Sequence, residues 1–257
     1  MSVHLVLYSN GEVFDYTKKL TIETINDFTT RNVIIHDYNL EKIKQLDWFH
    51  NIKELPNYLY VEGTRDGYCN SWKPFIVKEV YDQMNDDDIL YYVDCSKYFK
   101  IGFTENIDKL CEIVNKKKFI AGSVGDDTLN SFIVKNYNFE LSVVWNKILP
   151  NNDNTKLLDK KHVLNSWFIL KKNDINTNFL NEWIYWCIFK DDQLTLKVPL
   201  IIFNHTSDQY IFNILVHKYR LLVFYKKDIS HDENKNKNRV LEVINNNDDT
   251  DQFFIYL

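Results

Sequence analysis

The sequence predicts an α/β protein with a mostly parallel central sheet flanked by helices. Short runs of apolar, β-branched and aromatic residues alternate along the chain with stretches in which apolar residues recur at helical spacing. Such alternation is typical of parallel strands joined by helices that cover both faces of the sheet. Hydrophobic residues make up 45% of the 257 residues, and a chain of this length can bury a large core. We therefore expect one domain spanning residues 1–257.

The first part of the chain supplies four candidate strands and three candidate helices. Apolar runs predict strands over residues 3–8, 33–36, 58–61 and 89–93. Helical spacing predicts helices over residues 20–28 and 40–49, and Pro74 suits the first turn of a third helix. The run at 89–93 lacks a polar face, so we expect a strand that is buried on both sides.

The second part continues the alternation and ends in a polar segment. Helices are expected over residues 107–114 and 179–189 and from about 207, and strands over 119–121, 163–170, 198–203 and 221–225. Residues 122–127 and 151–161 are expected to be loops. From about residue 228 the chain is charged and rich in Asn, which predicts a loose segment, with residues 253–256 docking back on the body.

Composition and charge argue against several classes of protein. The net charge of −5 gives no electrostatic footprint for nucleic acid, so we expect no nucleic-acid partner. The four cysteines form no CxxC pair, which argues against a zinc site or a disulfide framework. No apolar run reaches ~18 residues and the first residues do not form a signal peptide, so we expect no membrane span and a cytoplasmic location. Residue usage indicates an AT-rich genome, such as that of a giant virus or an AT-rich microbe. If the gene is viral, we expect the protein in the cytoplasm of the host cell.

Two sites place carboxylates where an α/β sheet binds its ligands. Asp94 ends the apolar run 89–93, and Asp208 follows a second apolar run at the start of a predicted helix. Open α/β sheets bind ligands at the carboxyl ends of their strands, so the two carboxylates can face one crevice. Each also has a structural explanation: Asp94 as a hydrogen-bonded capping residue, and Asp208 as a helix N-cap.

The residues around both carboxylates resemble a known family. The run GYCNSWKPFIVKEVYDQMNDDDILYYVDCSKYF, residues 67–99, resembles a segment of GT-A fold glycosyltransferases. In that segment a Trp-Lys-Pro helix precedes an acidic turn and a strand that ends in Asp. The run DQYIFNIL, residues 208–215, is similar to the Asp-Gln helix start of glycogenin-like sugar transferases. The resemblance implies a GT-A fold and transfer of a sugar from a nucleoside-diphosphate donor, such as a UDP-sugar, to a glycan or protein acceptor.

The resemblance also implies how the donor is held. Asp94 would bind Mn²⁺ or Mg²⁺ together with the donor diphosphate, because hard cations prefer oxygen ligands. His205 is a candidate additional metal ligand or base, and His231 is a weaker one. Arg65 or Lys73 would add positive charge near the diphosphate.

The remaining implied roles concern the nucleobase and the reacting sugar. Tyr8 would stack on the base where the first strand ends, beside Ser9 in the turn that opens onto the ligand. Asp208 would orient an acceptor hydroxyl, and Gln209 would contact the β-face of the donor sugar as in a retaining enzyme.

One departure from the family pattern leaves a second function open. The family commonly shows Asp-X-Asp or Asp-X-Gly after the strand, whereas this chain has Asp94, Cys95 and Ser96, so the second carboxylate is absent. The alternative is therefore a catalytically degenerate GT-A domain that binds a nucleotide-sugar or a protein without turnover.

Overall fold

We analysed a computed structural model of the chain. The structure describes residues 1–25, 29–49, 72–95, 107–128, 147–149, 160–188, 207–226, 240–244 and 254–256. The predicted strands at 58–61 and 198–203 and most of the predicted loop at 151–161 lie outside these residues, as do Arg65, Ser96, His205 and His231.

The described residues form eight strands and six helices that carry labels here. The strands are β1 (Val3–Tyr8), β2 (Val33–Tyr38), β3 (Ile89–Asp94), β4 (Phe119–Thr128), β5 (Lys161–Lys171), β6 (Val223–Lys226), β7 (Val240–Ile244) and β8 (Phe254–Tyr256). The helices are α1 (Glu12–Thr24), α2 (Leu40–Ile43), α3 (Lys73–Gln83), α4 (Ile107–Lys117), α5 (Asp174–Ile188) and α6 (Ser207–Lys218).

All eight strands belong to one sheet, in the order β2-β1-β3-β5-β4-β6-β7-β8. Strands β1, β2 and β3 are parallel, as are β4 and β6, whereas β5 and β7 are antiparallel to each of their neighbours. Six of the eight strands therefore share one direction, and the predicted α/β class with a mostly parallel sheet is confirmed. Because β5 is reversed, its amino-terminal half lies at the edge where β1, β2 and β3 end.

The sheet is covered on both faces, as the unbroken apolar run of β3 predicts. Leu90 and Tyr92 pack into one core with residues of α3, α5 and α6. Ile89, Tyr91 and Val93 point the other way, into a second core with residues of α4. Alternate side chains of a strand face opposite sides of the sheet, so a central strand needs apolar residues at both sets of positions.

Some predicted boundaries were wrong. Helix α1 begins at Glu12, directly after Gly11, whose φ of 105° suits a glycine. Residues 122–127 lie within β4, in which Gly122 and Ser123 pair with Leu164 and Val163 of β5. Val240–Ile244, in the segment predicted to be loose, forms β7 between β6 and β8.

None of the described helices combines the length and apolar character that crossing a membrane requires.

Candidate functional site

The carboxyl ends of three neighbouring strands lie level with one another. Tyr8, the last residue of β1, pairs with Tyr38 at the end of β2 and with Asp94 at the end of β3. Asp94 therefore sits at the strand end where the sequence places it. Its side chain is 27% exposed, so it borders solvent at the edge of the sheet.

Lys73 connects this strand end to a second carboxylate. It is the first residue of α3, whose start is fixed by Pro74 in the first turn. Its ammonium Nζ lies 3.2 Å from Asp94 Oδ1 and 3.7 Å from Asp208 Oδ2, and only 4% of its side chain is exposed. The structure thus brings together Lys73, Asp94 and Asp208, which are far apart in the sequence. We call these three residues the charged cluster.

Asp208 is the buried member of the charged cluster. It follows Ser207 at the start of α6, is 1% exposed, and its backbone oxygen accepts a hydrogen bond of 3.1 Å from Trp183 Nε1. Burial, with a smaller contribution from the charge of Asp94, raises the pKa of its carboxyl to about 6, although Lys73, Asn165 and the Gln209 amide oppose the shift. Among the described residues, Oδ1 of Asp208 has no hydrogen-bond partner of good geometry.

Asn165 is a member of the site that sequence reasoning missed. Its Oδ1 accepts a hydrogen bond of 3.3 Å from Lys73 Nζ, and its Nδ2 donates to Asp208 Oδ2. It reaches the carboxyl edge because β5 is antiparallel to β3. The only sequence signal was a polar residue inside an apolar strand, and strand direction cannot be read from that signal.

Gln209 is held against the same strand. Its Oε1 accepts a hydrogen bond of 2.9 Å from the Asn165 amide, and its Nε2 donates to the backbone oxygen of Val163. Both ends of this side chain therefore join α6 to β5. Its predicted contact with the donor sugar stays a prediction.

Tyr8 and Ser9 lie beside the charged cluster and have protein partners. The ring of Tyr8 stacks on Trp72 with centroids 3.7 Å apart, and Tyr8 is 6% exposed. Ser9 Oγ donates to Asp15 Oδ1 in α1, and Ser9 is buried. Trp72 therefore covers one face of the ring that was predicted to stack on a nucleobase, and that role stays a prediction.

Asp94 is the described residue that the sequence predicts to bind a metal ion. Its Oδ1 accepts a hydrogen bond of 2.6 Å from Tyr92, whose ring lies 5.2 Å from Lys73 Nζ. Within the described ranges no group of three His, Cys, Asp or Glu side chains could hold a metal ion. Carboxylate oxygen suits Mn²⁺ and Mg²⁺, so Asp94 fits as one ligand. Other ligands would come from the donor diphosphate, from water, or from residues outside the described ranges.

Comparisons with known proteins found weak likeness to two solved glycosyltransferases. The crystal structure of mouse xyloside xylosyltransferase 1 in its apo form has a TM-score of 0.47 and 10% identity, over 85% of this chain and 82% of that one. The apo structure of the bifunctional glycosyltransferase WbbM has a TM-score of 0.45 and 12% identity, over 83% of this chain and 37% of that one. No family model and no curated protein matches the sequence.

Proposed function

We propose that this protein is a GT-A fold glycosyltransferase. It would transfer a sugar from a nucleoside-diphosphate donor, such as a UDP-sugar, to a glycan or protein acceptor. The observation that carries the proposal is the charged cluster of Lys73, Asp94 and Asp208 at the carboxyl edge of a mostly parallel sheet. Ligands of open α/β sheets bind at this edge, and the two sequence motifs that resemble GT-A enzymes both contribute residues to this cluster.

The residues of the cluster divide into a solvent side and a buried side. Asp94, on the solvent side, is the part that a diphosphate can approach. Lys73 offsets part of the carboxylate charge there and so reduces repulsion of an anionic donor. Arg65 would add further positive charge from outside the described residues.

A divalent cation would be held at Asp94, with His205 as a second candidate ligand. When bound, Mn²⁺ or Mg²⁺ supplies charge stabilisation of the leaving nucleoside diphosphate. The absence of a second carboxylate after Asp94 makes the strength of this site a direct question for experiment.

Asp208 and Gln209 would act on the sugar side of the reaction. Oδ1 of Asp208 is a buried acceptor without a partner among the described residues, and a substrate hydroxyl would satisfy it. Unsatisfied buried acceptors are costly to stability, which favours a role in binding over one in folding.

The degenerate domain stays the second candidate. Two observations favour it: Ser96 stands where the family has an acid, and both polar ends of Gln209 are bonded to β5. In this case the charged cluster would bind a nucleotide-sugar without releasing the diphosphate.

The two candidates are separated by measuring nucleoside diphosphate release from a panel of nucleotide-sugars, with Mn²⁺, Mg²⁺ or a chelator and with a broad acceptor set. If the protein is a glycosyltransferase, one class of donor should release its nucleoside diphosphate. The rate of that release should fall at least ~100-fold in Asp94→Ala, a loss typical for an electrostatic catalytic contact. The matched control is Lys78→Met, which removes a charge on the outer side of α3. Donor binding without any release would select the degenerate domain.

A further inference from the structure

Strand β5 contains an irregularity next to the site. In its pairing with β4, Ala121 is opposite Phe168, but the next residue, Gly122, is opposite Leu164. Residues 165–167 are therefore extra relative to β4 and form a β-bulge. Bulges redirect side chains, and they are frequent beside active sites.

The bulge changes which face of the sheet its residues occupy. In a regular strand, residues two apart share a face, so Asn165 and Trp167 would lie together. Here Asn165 lies with the charged cluster on the face covered by α3 and α6, whereas Trp167 packs against the core on the α4 face. The bulge therefore places the side-chain amide of Asn165 beside Lys73 and Asp208, and it places the indole ring of Trp167 on the opposite face of the sheet.

The Trp167 ring packs directly on Gly122. A Cβ added to Gly122 would lie 2.5 Å from Nε1 and 2.6 Å from Cε2 and Cζ2 of Trp167. Distances this short do not occur for real Cβ atoms, so the ring lies directly on the glycine backbone. Because an indole is rigid and bulky and β3 pairs Val93 with Trp167, we expect a methyl group at Gly122 to displace the ring together with its strand segment.

The hydrogen bonds of Asn165 depend on where the bulge is held. Its side chain joins Lys73 to Asp208, and its backbone amide donates to Gln209. A displacement of β5 by 1 Å would break these bonds, since hydrogen bonds weaken steeply beyond their normal length.

We propose that Trp167, seated on Gly122, is a positioning residue that holds Asn165 against Lys73 and Asp208. It acts from the opposite face of the sheet, where it packs against the core on the α4 side. Its value for donor binding rests on the proposed function, but the placement of Asn165 can be measured without any donor.

The test is Gly122→Ala, which adds one methyl group under the ring. The matched control is Val114→Ala, a cavity substitution in α4 one turn before β4 begins, at the sheet edge opposite the site. We expect amide hydrogen exchange of Asn165, measured by NMR, to be at least ~10-fold faster in Gly122→Ala than in Val114→Ala. The two rates are compared after each is corrected for the loss of thermal stability in that variant. Equal exchange rates in the two variants would overturn the proposal.

A double-mutant cycle and a binding measurement complete the test. In the Trp167→Leu background the ring is gone, so adding Gly122→Ala should change Asn165 exchange by less than ~2-fold. Affinity for the nucleotide-sugar that the wild type binds should fall at least ~10-fold in Gly122→Ala and stay unchanged in Val114→Ala. Unchanged affinity despite faster exchange would overturn the positioning role. A wild type that binds no nucleotide-sugar would instead refute the proposed function, and the exchange rates alone would then decide whether Trp167 positions Asn165.

Discussion

Two buried polar groups lie at opposite ends of β1 and β3, and they are built differently. At the amino edge, Asp88 accepts hydrogen bonds from the Ser2 amide at 2.6 Å and from both nitrogens of Asn85, and it lies 3.4 Å from His4 Nε2. At the carboxyl edge, Asp208 is the more deeply buried of the two, and one of its oxygens has no hydrogen-bond partner of good geometry among the described residues.

The pKa values follow this difference. The hydrogen bonds to Asp88 lower its pKa in spite of burial, whereas burial raises the pKa of Asp208 to about 6. A carboxylate that is fully bonded stabilises the fold, and one that is not reduces its stability. The carboxylate at the amino edge therefore stabilises the fold, whereas the one at the carboxyl edge does not, which is the difference that the proposed substrate-binding role of Asp208 requires.

The largest expected effect is that of Lys73→Met. Removing the ammonium leaves Asp94 and Asp208 without their shared cation, and breaking a buried ion pair in this way costs about 3–5 kcal/mol. Urea denaturation at pH 7 measures the loss. Adding Asp208→Asn to this variant should recover part of it, because the buried charge is removed as well. A loss below ~1 kcal/mol would show that the lysine is not the partner of both carboxylates.

The next largest effect is that of Asp208→Asn, which should stabilise the fold rather than destabilise it. Because the folded pKa of Asp208 is about 6 and its ordinary value is 3.8, the fold loses stability as pH rises from about 4 to about 6, and the loss is complete above pH 6. Asp208→Asn should therefore raise the free energy of unfolding by on the order of 2–3 kcal/mol at pH 8 and leave it unchanged below pH ~4. Transfer activity should be lost in the same variant. Destabilisation at pH 8 would contradict the distinction between the two edges.

His36 should give a smaller pH dependence at the amino edge. Its Nε2 lies 2.9 Å from His4 Nδ1, and burial together with His4 lowers its pKa from 6.5 to about 4. The stability that depends on neutral His36 is complete above pH 6.5 and is lost as pH falls toward 4.

The ring is only half-buried, so solvent screening limits this loss to about 1 kcal/mol. Stability measured from pH 7.5 to 4 should fall less steeply in His36→Gln than in the wild type. Parallel curves would show that the lowered pKa of His36 does not contribute to the pH dependence of stability.

The smallest effect is expected for Lys78→Met. Lys78 pairs with Asp82 one turn later on the outer side of α3, and 55% of the Asp82 side chain is exposed. Exposed pairs of this kind contribute below ~0.5 kcal/mol. Since this is the same substitution on the same helix as Lys73→Met, a similar loss in both variants would mean that burial does not explain the effect of Lys73.

The two edges also differ in how much the sequence predicts. Asp94 and Asp208 were predicted to face one site because each follows a local rule, a strand end for one and a helix start for the other. The parallel placement of β1, β2 and β3 then brings such ends together.

Asn165 and the bridging position of Lys73 could not be predicted, because both depend on long-range arrangement. Lys73 was a candidate because the Trp-Lys-Pro segment resembles the family, but the groups that its ammonium contacts depend on where α6 packs. Asn165 reaches the site only because β5 is reversed and bulged. The loop predicted at residues 122–127 was wrong for a related reason: Gly122 indicates a turn in the local sequence, whereas in the fold it makes room for Trp167.

Thermal unfolding of the wild type and of Asp94→Asn, with a panel of nucleotide-sugars and with or without Mn²⁺, tests the function of the carboxyl edge most directly. A ligand at a hundred times its dissociation constant stabilises the native state by about 2.7 kcal/mol, so even weak donors register. We predict that one nucleotide-sugar class raises the unfolding temperature of the wild type and not that of Asp94→Asn. The absence of a shift with every donor, or an equal shift in both proteins, would contradict a nucleotide-sugar site at Asp94.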